Sequence, residues 1–103
     1  MIVTQIAHII AEYAVFLSLA DEDSIHPDTA MSRMEMLAAD LEDLDKGFLR
    51  QLIDAFAVIA PEYPGEAEEV VRDIAYSFYL EEALAADDPI RLAELNALRE
   101  ARD

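Results

Sequence analysis

A chain of 103 residues that is 54% hydrophobic is long enough for one domain with a true core and too apolar for disorder. It has no cysteine, which excludes thiol catalysis, disulfides and thiolate metal sites. Its 23 acidic residues against seven Lys and Arg give a net charge of −16, well beyond what solubility requires; such a field disfavours nucleic acid and anionic membrane and attracts basic partners.

Only two glycines and four prolines leave little material for hairpins, and eighteen alanines favour helix. The expected fold is all-α: a single domain over 1–103, built as an antiparallel bundle of about five helices. The first spans about 2–20 and holds one formal charge, Glu12. An export signal needs a basic n-region, and no Lys or Arg precedes Arg33. A membrane span would hold Glu12 near the bilayer centre, at a cost of about 3 kcal/mol. Both readings are set aside, and a cytosolic protein is expected. Ile2, Ile6, Ile9, Tyr13, Phe16 and Ala20 share one helical face, widened by Val3, Ile10 and Leu17. A helix apolar nearly all round is buried, so this one is expected at the centre of the bundle or in a dimer interface.

Pro27 fits the first position of a second helix, about 27–43, with Asp28 in its first turn and His26 in the N-cap position, where Ser, Thr, Asp or Asn is usual. Its apolar stripe is Met31, Met34, Leu37, Ala38 and Leu41. Asp45 caps a third helix, about 46–60, striped by Leu49, Leu52, Ile53, Phe56 and Ile59 and stopped by Pro61. After the break PEYPG, a fourth helix is expected over about 65–86 with Val70, Val71, Ile74, Ala75 and Phe78 inward. Asp88 and Pro89 start a fifth, about 89–101, whose Leu92, Leu95 and Leu98 give it the weakest attachment.

Little of this supports catalysis. In DEDSIHPD the calcium-loop positions 5, 6 and 12 fall on Ile25, His26 and Ser32, so the pattern fails. With His8 and His26 the only histidines and no Glu-x-x-His, a di-metal bundle is not expected; His8 and Glu12, four residues apart, read as a hydrogen-bonded pair at the core's edge. No nucleophile turn or phosphate loop is present. The chain reads as a non-enzyme without metal or cofactor. Three methionines, Met31, Met34 and Met36, raise a methionine-lined groove, but two of them fit the core stripe.

The acids are the remaining signal. Asp21, Glu22 and Asp23 form the first turn, and Asp40, Glu42, Asp43 and Asp45 cluster at the end of the second helix, against its dipole. Glu62, Glu66, Glu69 and Asp73 step by four, three and four, and the last three share a face, with Tyr63 before them and Tyr76 next along. Tyrosine anchors interfaces, so these acids together with Tyr63 and Tyr76 are the candidate partner-binding residues, although Tyr76, Phe78 and Tyr79 also read as core.

The run from FLSLADEDSIHPD to DAFAVIA resembles the central part of small acidic bacterial immunity proteins, the partners that neutralise antibacterial toxins. Those have an apolar first helix, an acidic turn and a Val/Ile-Asp-Pro-Asp helix start; here the start is Ile25-His26-Pro27-Asp28, with His26 departing from the pattern. The resemblance implies a cytosolic inhibitor that binds a toxin domain and blocks it, and the charge excess adds the expectation that the blocked active-site cleft is basic. Two other readings stay open: a nucleic-acid mimic that occupies a DNA- or RNA-binding protein, and a scaffold that dimerises through the first helix with charge serving solubility alone.

Overall fold

The computed structural model describes residues 2–102, and within them the chain is all helix and connection, with no strand. Seven α-helices follow in order: α1 (Ile2–Leu19), α2 (Pro27–Glu42), α3 (Lys46–Ile59), α4 (Glu66–Arg72), α5 (Ile74–Ser77), α6 (Leu80–Leu84) and α7 (Pro89–Arg102), with a 3-10 turn over Ala60–Glu62. The bundle measures 44 × 32 × 24 Å.

The expected helix punctuation holds. The His26 ring nitrogen Nδ1 accepts from the Asp28 N–H at 3.1 Å, so histidine performs the capping role of a shorter side chain. Asp45 accepts from the Phe48 N–H at 3.1 Å and Asp88 from the Arg91 N–H at 3.1 Å. Gly65, at φ +53°, makes the turn into α4 that a side chain would strain.

The centre of the bundle is α3, not α1 as its composition suggested. Leu49, Leu52, Ile53, Phe56 and Ile59 are all buried, and α3 touches α1, α4, α5, α6 and the 3-10 turn. Each such side chain contributes about 1.5–3 kcal/mol of burial. The face of α1 that meets this wall is Ala7, Ala11, Ala14 and Leu17, the alanines at most 1% exposed. Small side chains there let the helix backbone approach the bulky side chains of α3. The expected inward face is therefore turned outward: Ile2, Ile9, Tyr13 and Phe16 are exposed and Ile6 only half-buried. By length and apolarity alone α1 resembles a membrane span, yet it supplies this packed alanine face to the bundle.

Two further expectations fail. The continuous fourth helix is broken after Arg72 and again at Phe78–Tyr79, giving α4, α5 and α6. Ile74 and Phe78 share a helical face, but Leu80, two residues on, would point away from it. Tyr79 adopts a left-handed conformation, φ 57° and ψ 37°, which swings Leu80 into the core, so that Phe78 and Leu80 are both buried. That backbone costs about 1–2 kcal/mol. On α2, Leu41 is buried but Met31 is 64% exposed. The fifth expected helix, now α7, is indeed lightly attached: Leu95 is buried while Ile90 and Leu98 are exposed.

Arginines dock α7. Arg99 donates to Glu82 at 2.9 and 3.2 Å and to the Tyr76 carbonyl at 3.0 Å, and its guanidinium lies 3.8 Å over the Tyr79 ring and 4.1 Å over Tyr76. Arg102 pairs with Asp73 at 2.6 Å, and its guanidinium lies 3.8 Å over the Tyr76 ring. This cation–π stacking offsets the strained backbone at Tyr79.

Candidate functional site: an acid-rimmed apolar furrow

The turn after α1 and the helices α2, α4 and α5 enclose a furrow in two connected parts. One, of about 580 Å³, lies between the end of α1 and α2, lined by Leu17, Ile25, Met31, Met34 and Phe78 with Glu22 and Glu35 at its edge. The other, of about 440 Å³, shares Met34, Ser77 and Phe78 with the first and is bordered by Glu66, Glu69 and Asp73 of the α4 region. Local sequence makes both walls. The three- and four-residue steps from Glu66 to Asp73 stack three acids along one side, and α2, started at Pro27 behind its His26 cap, contributes Met31 and Met34 to the lining with Phe78.

Of the candidate acids, the fold brings Glu22, Glu66, Glu69 and Asp73 to this furrow, with Asp21 and Asp23 in the turn beside Glu22. Asp21 also accepts from the Ser24 N–H at 3.0 Å, which closes that turn. The cluster Asp40, Glu42, Asp43 and Asp45 stands at the far end of α2, roughly 20 Å away by helix rise, and Asp45 is engaged in capping α3. Glu62 and Tyr63 sit elsewhere again, against α1. There His8 meets the Tyr63 hydroxyl at 3.3 Å and lies 3.8 Å from Glu62, in place of the expected pair with Glu12. Burial pushes the Tyr63 phenol above its ordinary value, and the charges of Glu12 and Glu62 add to that shift. Tyr76, expected to anchor a partner, is half-buried beneath Arg99 and Arg102 of its own chain.

The electrostatics favour the furrow. Lys46, Arg50, Arg72, Arg91, Arg99 and Arg102 all pair with carboxylates of the fold, Arg50 bidentately with Glu81 at 2.9 and 3.0 Å. Asp73 is answered by Arg102. Glu22, Glu35, Glu66 and Glu69 make no ion pair among the described residues, and all four are exposed. Carboxylates without an ion-pair partner therefore rim an apolar, methionine-lined floor. Sequence reasoning missed Glu35, Ile25 and Phe78 as members of the site. The available signal was the methionine spacing on α2, which also fits a core stripe.

Among the described residues no three His, Asp or Glu side chains gather into a metal-binding group. No protein-family model, curated protein or solved structure matches the chain.

Proposed function

We propose that this protein is a small acidic binding protein that neutralises a basic protein partner, in the manner of a cytosolic immunity protein that blocks the basic cleft of an antibacterial toxin. The observation that carries this reading is the furrow: unpaired Glu22, Glu35, Glu66 and Glu69 around a floor of Met31, Met34 and Phe78. Acids on the rim steer a basic partner and set its orientation, while the apolar floor, losing its water as the partner binds, supplies the affinity. Methionines adapt to the shape of an inserted side chain. A nucleic-acid mimic needs acids along one continuous surface, and the candidate acids divide among three places, so the furrow reading is preferred.

The test is capture from a lysate of the source organism with the tagged chain and with a Glu22→Lys/Glu66→Lys/Glu69→Lys variant, bound at low salt and washed at about 0.5 M, where surface charge is strongly screened. The expected result is one stoichiometric basic protein, held through the wash by the native chain and lost from the variant, whose activity falls when the native chain is added back. A mixed set of basic proteins that washes off both baits alike would leave the charge as a solubility device.

A further inference from the structure

We infer that the outer face of α1 pairs with the same face of a second copy, as an antiparallel homodimer. This reading is independent of the furrow. Ile2 is 71% exposed, Ile9 67% and Phe16 47%. Together with Ile6, Tyr13 and Ala20 they recur at steps of four and three residues, the spacing of a helix–helix seam with knobs fitting into holes. The arrangement is the reverse of what a monomer needs: alanines face the core and the large side chains face water. A lone surface isoleucine is ordinary, whereas a continuous stripe over five turns marks an interface.

Charge points to a second copy. A chain of net charge −16 associates with itself at least cost where it is least charged, and α1 carries Glu12 alone. That rules against a basic partner on this face, since the face offers such a partner almost nothing to pair with.

Charge also sets the orientation. In a parallel pair the two Asp21-Glu22-Asp23 turns would lie side by side. An antiparallel pair moves them to opposite ends of a helix about 27 Å long, more than two Debye lengths apart. Each turn then stands near the N-terminal end of the other copy's α1, whose first turn contains no acid of its own. Ile6 of one copy meets Phe16 of the other, Ile9 meets Tyr13, and Ile2 meets Ala20.

Light scattering on the eluting protein at roughly 100 µM tests the pairing. The native chain is expected at twice its 11.5 kDa and Ile9→Glu/Phe16→Glu at 11.5 kDa, with an unchanged helical spectrum because both sites are exposed. The native chain running at 11.5 kDa, alone or while floating with neutral phosphatidylcholine vesicles, would overturn the dimer. So would a double variant that stays dimeric. Cysteines test the orientation, because the chain has no thiol of its own. A mixture of Ile2→Cys and Ala20→Cys chains is expected to oxidise to the mixed disulfide, and efficient crosslinking of Ile2→Cys with itself would overturn the antiparallel arrangement.

Discussion

Replacing Arg99 by alanine removes the device that holds α7 to the bundle. The Arg99 side chain is 17% exposed and that of Glu82 16%, so the pair is largely desolvated. The substitution deletes two charge-assisted bonds to Glu82, one bond to the Tyr76 carbonyl, and the stacking on Tyr76 and Tyr79. It leaves the Glu82 carboxylate near the interior without its cation. Breaking one side of a buried pair costs about 3–5 kcal/mol. The remaining exposure lets Glu82 turn toward water, which places the expected loss near the lower end, about 3 kcal/mol. For a domain of this size that lowers the melting temperature by at least about 10 °C. Arg99→Lys should recover little, because an ammonium lacks the planar fork that bonds Glu82 and stacks on two rings at once. Urea denaturation followed by circular dichroism gives the free energy, and trypsin cleavage inside α7 reports its release. Arg91→Ala is the control: Arg91 pairs with Glu94 three residues on, at 3.3 Å on the surface, and should cost less than about 0.5 kcal/mol. A loss below about 0.5 kcal/mol for Arg99→Ala, with α7 still protected, would refute the docking role.

Ala11, 0% exposed, faces α3, so Ala11→Leu should overpack the contact and cost about 1–3 kcal/mol, read as a lower urea midpoint. The unpaired acids repel one another in the folded state, so the melting temperature should rise from low salt to about 0.5 M sodium chloride; a fall would mean that the surface ion pairs outweigh the repulsion. Burial, and then the charges of Glu12 and Glu62, hold the Tyr63 phenol above its ordinary value, so the folded chain favours its neutral form. That contribution is complete below the unfolded value and is lost as pH climbs through the folded one. Stability of the native chain should therefore drop relative to Tyr63→Phe above about pH 10, and parallel pH curves for the two would contradict the shift.

The residues that could be read in advance are those whose signal is local. The α3 stripe repeats with one period and has one polar side, so its buried face is unambiguous, and the caps at His26, Asp45 and Asp88 depend on residues two or three positions away. The face of α1 was not legible because a helix apolar on nearly every side has no face to read; only the bulk of α3 decides that alanine, not isoleucine, turns inward. The break at Phe78–Tyr79 follows from Phe78 and Leu80 both needing the core, and the Arg99 clamp joins residues 23 apart to settle it. Tyr76 looked like an anchor beside an acid stripe because its true partners lie in a helix that the stripe does not reveal. The furrow combines three segments, so Glu66, Glu69 and Asp73 were visible as one side and Met31 and Met34 as a possible groove, while Ile25, Phe78 and Glu35 were not.

The central claim is that the furrow recognises positive charge joined to an apolar face. Its most direct test is a fluorescence anisotropy titration with a labelled peptide of about 20 lysines and leucines at helical spacing, an amphipathic helix laid in a groove. Saturable one-to-one binding is expected, weakening with salt and falling at least tenfold for both Met31→Lys and Glu22→Lys/Glu66→Lys/Glu69→Lys. Ile9→Glu/Phe16→Glu should bind as the native chain does. A peptide of the same composition without an apolar face should bind more weakly. Equal affinity for both peptides, or binding unaffected by Met31→Lys and the triple reversal, would show that the acids attract cations generally and that the furrow is not the site.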